Sequence, residues 1–336
     1  EELDDTGELN VGIGIAKVGS FRLSAFRQRG SLAAVFRCIP TTIPQLSTLG
    51  VPETLSGLVL EKRGLILMVG ATGTGKSTTL ASMLEHRNQL VTGHILTIED
   101  PIEFLFTNKK SVVNQREVGR DTVSLQTALK NALRQAPDVI LIGEIRDRET
   151  MTAAISYALS GHLVLATLHA NNSYHALGRI LSFYTPEARP ALLADLAAAL
   201  KAVVCQRLLR AEAGGRVAAV EVLINTKLIA EMIAKGDFTA VKEAMEQSIA
   251  EGSQSFEEDL ARLIGQGIVS RDEALAYADS PTNLMWRLQN ESAPQARQPQ
   301  PESEPSEGDG PTFTEITLDV RPDDLKAGGK APWMRR

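Results

Sequence analysis

With 336 residues the chain is long enough for two domains, since a single core rarely grows beyond about 250 to 300 residues. Hydrophobic residues make up 43% and charged residues 23%, an ordinary globular balance, and no run approaches the roughly 18 consecutive apolar residues of a membrane helix. A net charge of −6 leaves no basic footprint for nucleic acid, and two distant cysteines, Cys38 and Cys205, argue against a disulfide framework and a structural zinc site.

The chain opens on acidic residues, Glu1 to Asp5, without an initiator Met and without the basic-then-apolar pattern of a signal peptide. The numbering is therefore expected to start inside a longer protein. The cysteines are expected to be small buried apolar residues in a reducing, cytosolic compartment. Apolar and polar residues alternate in Phe21–Ala25, and Leu32–Arg37 forms a second short strand, with Arg27-Gln28-Arg29-Gly30 as the turn. Residues 1–52 read as the last part of an N-terminal domain and a linker.

Residues 53–180 alternate between buried strands and helices. Leu65–Val69 is an apolar run ending in glycine, as a parallel core strand should be, and a helix is expected over Lys76–Leu90. Ile95–Ile98 is a second strand. Leu125, Ala128, Leu129, Ala132 and Leu133 share one helical face, with Ser124 as its cap and Pro137 as its stop. Val139–Ile142 and Leu163–Thr167 complete the strands. This order implies an α/β fold, a parallel sheet covered on both faces.

Residues 181–289 read as mainly helical. Leu192, Leu193, Leu196, Leu200, Val203 and Val204 form a helical stripe, Gly214-Gly215 turns a short hairpin, and about three helices follow. Residues 290–336 form a tail. Glu291 to Pro311 is rich in Pro, Glu, Ser and Gln and is expected to be disordered, because it cannot bury enough surface to offset ordering entropy. Phe313–Val320 is a small apolar island within it, either an unstructured sticky patch or a strand that docks on a partner.

Gly70-Ala71-Thr72-Gly73-Thr74-Gly75-Lys76-Ser77 matches G-x-x-x-x-G-K-[ST] between an apolar strand and a helix, and Thr78 continues it. Glycines there let backbone N–H groups turn inward around phosphates at a helix N-terminus. Lys76 is expected to reach the β- and γ-phosphates of ATP, and the Ser77 hydroxyl to ligate Mg²⁺. Glu99, Asp100 and Glu103 cluster just after the Ile95–Ile98 strand, where parallel sheets place their ligands. Glu99 and Asp100 are candidates for the Mg²⁺ shell, partly through water, and Glu103 for positioning the attacking water.

In Asp138–Glu144 a strand ends in Gly143-Glu144 where an ordinary Walker B strand ends in Asp-Glu, so Glu144 stands alone. His162 and His169 flank the next strand. They are either structural or neutral donors that sense the γ-phosphate or bridge Glu144 to a neighbouring subunit. His86, His94 and His175 read as structural. Arg22, Arg29 and Arg37 are either solvated and locally paired, or arginine fingers directed at a neighbour's γ-phosphate.

These boxes, in this order, resemble the secretion ATPase superfamily of bacterial type II and type IV pilus machines. The sequences are GATGTGKS, TIEDPIEF, DVILIGEIRD and GHLVLATLH, and with VNQREVGRDT they are most similar to the retraction branch of PilT and PilU. The resemblance covers roughly residues 21 to 278. It implies a PAS-like N-terminal domain, here present as its last part, a RecA-like ATPase core and a cytoplasmic homo-hexamer. It further implies Glu103 and Glu144 as catalytic carboxylates, His162 and His169 as the box histidines, and the segment holding Arg22, Arg29 and Arg37 as the source of trans-acting arginines. The partner it implies is an inner-membrane pilus platform protein, met peripherally at the pilus base.

The chain lacks the four cysteines of the zinc element usual in the extension branch, which favours retraction. It has Leu228–Ile233 where PilT carries its AIR-containing helix, and its long tail favours the PilU side. The expected function is thus an ATP-hydrolysing subunit that drives pilin depolymerisation and twitching motility. The alternatives are an accessory nucleotide-binding subunit acting beside a PilT-like paralogue and, at odds with the acidic charge, a nucleic-acid translocase.

Overall fold

The structure, a computed structural model, describes residues 2–15, 18–40, 42–246 and 252–291. The tail expected over 290–336, with its island at Phe313–Val320, lies almost entirely outside the described residues.

Alternation at the start of the chain yields a small antiparallel sheet. After a short helix α1 (Glu2–Thr6) come β1 (Glu8–Ile15), β2 (Gly19–Gln28) and β3 (Ser31–Ile39), in that order across the sheet. The β2–β3 connection is two residues, Arg29 and Gly30, with φ of 48° and 78°. Positive φ at both central positions is what a type I′ hairpin turn requires. The register places Val11, Leu23 and Phe36 on one face and Arg22 and Arg37 on the other. Cys38, expected to be buried, is exposed because β3 is open on both faces, with seven of its nine residues exposed; Cys205 is buried.

A short helix α2 (Thr54–Leu58) leads into the main sheet. Its elements follow as β4 (Gly64–Val69), α3 (Lys76–Leu90), β5 (Gly93–Glu99), β6 (Ser111–Glu117), α4 (Leu125–Ala132), β7 (Val139–Ile142), α5 (Arg148–Leu159), β8 (Leu163–Leu168), α6 (Ser173–Ser182), α7 (Arg189–Ala199), β9 (Leu200–Arg210) and β10 (Arg216–Ile224). The helices α8 (Lys227–Lys235), α9 (Phe238–Glu246), α10 (Phe256–Gly265), α11 (Arg271–Tyr277) and α12 (Pro281–Glu291) complete the described chain.

The seven strands stand in the order β10-β9-β4-β8-β7-β5-β6, all parallel except β10. Every residue of β4, β7 and β8 is buried, which explains why these strands read as unbroken apolar runs. Period-two alternation divides β4 between two cores. Leu65, Leu67 and Val69 join one layer with α4 to α10, while Ile66 and Met68 join the other with Leu80, Met83 and Leu84 of α3.

One expected helix divides in two. Leu192, Leu193 and Leu196 are buried on α7 as the spacing predicts, but the helix ends at Ala199, and Leu200, Val203 and Val204 lie on β9. An unbroken apolar run fits a buried strand as well as a helix, and here β9 is held by pairing with β4 on one side and β10 on the other. The hairpin turn at Gly214-Gly215 is present, with φ of 88° and 81°, and it joins strands of 11 and 9 residues that carry the sheet to Ile224. Among the described residues, no helix is long and apolar enough to cross a membrane.

Candidate active site

The carboxyl ends of β4, β5, β7 and β8 meet α3 around a cleft of about 950 Å³. The loop Gly70–Gly75 forms one wall. Gly73 and Gly75 have φ of 81° and 87°, in the left-handed region that turns successive N–H groups inward. Lys76 begins α3, is buried, and donates from Nζ to the Gly70 and Ala71 carbonyls at 2.8 and 2.7 Å. Burial lowers its pKa, and the charges of Glu144 and Glu103 oppose that shift. Both carboxylates therefore place negative charge within electrostatic reach of the Lys76 ammonium. Ser77 and Thr78 also line the cleft.

The end of β5 and the loop after it carry the acidic cluster. Glu99 accepts from Thr97 Oγ1 at 2.6 Å and from Gln115 Nε2 at 3.3 Å. Burial raises its pKa, those hydrogen bonds oppose the rise, and the charge of Glu103 adds to it. Gln115 on β6 also donates to the Phe104 carbonyl and accepts from Phe106 N–H, while Glu117 accepts from Ile102 N–H. The segment Val113–Thr122 thus buttresses the loop that aims Glu99, Asp100 and Glu103 into the cleft.

Glu144 follows β7 and is held from two sides. Arg146 reaches Oε2, Nη2 at 2.6 Å and Nε at 2.8 Å, and His169 Nε2 lies 3.2 Å from Oε1. Bonding to Glu144 raises the Arg146 pKa. Gly143, at the usual aspartate position, leaves little clearance for a side chain. Its N–H extends the ladder to the Ile98 carbonyl at 2.8 Å, and a Cβ there would lie 3.2 Å from that oxygen and from Glu99 Cα.

The two box histidines do not meet. His169 follows β8 and lines the cleft, whereas His162 precedes the same strand. The strand's length separates them by roughly 20 Å. His162 Nδ1 lies 3.3 Å from the Tyr157 carbonyl. The arginines also separate. Arg37 lines the cleft of its own chain, and Arg22 donates to the Ile102 carbonyl on the acidic loop at 3.2 Å. Arg29 sits in the β2–β3 turn and does not line the cleft. Residues the motifs did not single out also build the site: Arg146, the Gln115 strut, and Gln206 on β9. Gln206 Nε2 donates to the Thr74 carbonyl at 2.9 Å, and its Oε1 accepts from Thr79 Oγ1 at 2.8 Å. A lone glutamine in an apolar strand was the signal for this last contact.

A phosphate loop at the carboxyl end of the central parallel strand β4, faced by carboxylates at the ends of β5 and β7, defines a P-loop ATPase of the RecA-like α/β class. Residues 2–214 match the family described as Type II/IV secretion system protein, and the chain belongs to that family. It is 50% identical over 288 residues to the type IV pilus ATPase PilU of Pseudomonas aeruginosa, which covers 85% of this chain and 75% of the relative. It is 38% identical over 284 residues to the type IV pilus retraction ATPase PilT of the same organism, covering 84% and 83%. A crystal structure of the pilus retraction motor PilT with bound ADP superimposes with a TM-score of 0.81 at 41% identity, covering 85% of this chain and 81% of that one.

Proposed function

We propose that this chain binds Mg-ATP in the cleft, hydrolyses it, and converts the cycle into type IV pilus retraction as one subunit of a homo-hexameric ring. The observation that carries the reading is that Lys76, Glu103 and Glu144 line one cleft beside the phosphate loop. Relatives bearing the names PilU and PilT support the pilus context. The ring docks at the cytoplasmic face of the inner membrane on a pilus platform protein, alone or with a PilT-like paralogue.

Water attacks the γ-phosphorus while the bond to the β-phosphate oxygen breaks. Phosphate oxygens are cradled by the N–H groups of Gly70–Gly75, with Lys76 leaving the loop carbonyls to meet the β- and γ-phosphates. The Ser77 hydroxyl and the carboxylates of Glu99 and Asp100 are all oxygen donors, the set that Mg²⁺ takes, so the residues fit this ion. Mg²⁺, when bound, neutralises charge that develops on the phosphate oxygens. Glu103 orients the attacking water, and Glu144 accepts its proton once one of its oxygens is released by Arg146 or His169. His169 reports the state of Glu144 to the loop that follows it; His162, at the other end of β8, acts on domain packing. In the ring, Arg22 and Arg37 supply positive charge at a neighbour's γ-phosphate, with Arg29 reaching that neighbour separately from the tip of the β2–β3 hairpin.

Steady-state ATPase activity tests this reading. Glu144→Gln is expected to lower kcat by about 10² to 10⁴ with nucleotide affinity retained. Mixing Arg37→Ala with Glu144→Gln should restore part of the activity, because a mixed ring of trans arginines contains sites free of both lesions. Full binding of Mg-ATP by the wild type without turnover would replace the self-sufficient motor with an accessory subunit.

A further inference from the structure

We propose that Gln206 and Arg207, neighbours on β9, position the phosphate loop and transmit its state to the C-terminal helices. The proposal rests on the nucleotide reading of the cleft and adds a route out of it.

The pairing of β9 with β4 creates the arrangement. Val69 pairs with Cys205, so Gln206 falls one residue beyond the end of β4, directly beside the loop. Gln206 is 3% exposed, and both ends of its carboxamide are used, one on the Thr74 carbonyl and one on the Thr79 hydroxyl. The loop closes around it at close range. A Cβ at Gly75 would lie 2.7 Å from Gln206 Nε2, and one at Gly70 would lie 2.7 Å from the Gln206 carbonyl oxygen. A shift of the loop on phosphate binding must therefore move or be resisted by Gln206.

Arg207 points to the other face of β9, as strand alternation requires. Its guanidinium donates to the carbonyl of Tyr277, the last residue of α11, and forms an ion pair with Asp279 in the segment joining α11 to α12. It also donates to the Asn171 carbonyl at 3.0 Å and lies 3.8 Å from the ring centroid of Phe256, the first residue of α10. The second oxygen of Asp279 accepts from Asn172 Nδ2 at 2.7 Å. Asn171 and Asn172 follow His169, which faces Glu144. Arg207 thus gathers two signals from the cleft: one from the phosphate loop through Gln206, and one from Glu144 through His169 and the 170–172 loop. It delivers both to Asp279 and Phe256. A cleft of about 580 Å³ lies between the phosphate loop, β9 and residues 276–279, which leaves the loop and the C-terminal segment room to move relative to one another.

The test uses the full chain, with MgADP as the probe. Gln206→Ala is expected to weaken ADP binding about tenfold or more, the effect of stranding buried hydrogen-bond partners, while Gln206→Glu recovers only the bond from Thr79. Arg207→Lys is expected to keep ADP affinity within about twofold yet lose most of the ADP-dependent change in hydrogen exchange across residues 256–291. Asp279→Asn tests the same link from its other side, should Arg207→Lys fail to fold. ADP affinity unchanged in Gln206→Ala overturns the positioning role. A full ADP-dependent exchange change in both Arg207→Lys and Asp279→Asn, or none in the wild type, overturns the transmission. Failure of the wild type to bind ADP would instead sink the nucleotide reading itself.

Discussion

Single residues in this protein are constrained by what a Cβ or a charge would meet. Gly143, just beyond β7, has tight clearance for a side chain, since an added Cβ would lie 3.2 Å from backbone atoms of Ile98 and Glu99 that cannot rotate away. Gly143→Ala should therefore destabilise the fold by about 1 to 3 kcal/mol, the usual cost of overpacking, and lower the thermal midpoint by several degrees. A melt that matches wild type would show that β5 and β7 can part there. Glu221 on β10 is a second case. Buried beside Cys205, it accepts from Ser173 N–H at 2.7 Å at the start of α6. Burial pushes its pKa up to about 7, with the charge of Asp279 adding to the rise and the bonds from Ser173 opposing it. The folded chain then holds a proton that the unfolded chain releases near 4.5. Its contribution is full below pH 4.5 and is lost as pH rises to about 7, amounting to roughly 3 kcal/mol. Denaturant midpoints across pH 4.5 to 7 should show a flatter decline in Glu221→Gln.

Elements end where local caps end them, and some of those caps also serve the site. Ser124 accepts from Thr127 N–H and starts α4, as its sequence position implies. Asp147 does the same for α5 through Thr150 N–H at 2.8 Å, and it stands three residues after Glu144, on the wall of the cleft. Removing this cap should cost about 1 kcal/mol and loosen the turn that presents Glu144 and Arg146. Asp147→Ala is accordingly expected to lose both stability and kcat, whereas Asp147→Asn, which can still accept from Thr150, should recover most of the stability. Equal losses in the two variants would assign Asp147 to chemistry rather than capping.

Across the whole molecule, protection should follow burial. β4, β7 and β8 are covered on both faces, while in the small N-terminal sheet Leu32, Val35 and Phe36 of β3 are exposed. Backbone amides of β4 and β8 should exchange only on global unfolding, and those of β1 to β3 orders of magnitude faster. Comparable rates in the two sheets would mean that they unfold as one unit.

The sequence by itself determined the phosphate loop, the helix behind it, the strands at Leu65, Ile95, Val139 and Leu163, and the carboxylates at the ends of two of them. Each of these signals is local: a glycine pattern, an apolar run, a cap. Only the tertiary structure decided that Leu200–Arg210 is a strand, because an apolar run acquires its identity from the strands that flank it. Pairing with β4 then brought Gln206 to the loop across more than a hundred residues of chain. The same holds for the histidines, which look equivalent around one strand yet stand at opposite ends of it, so that only His169 meets Glu144. Local spacing fixes which residues share a face of an element, and the packing of elements fixes which faces meet.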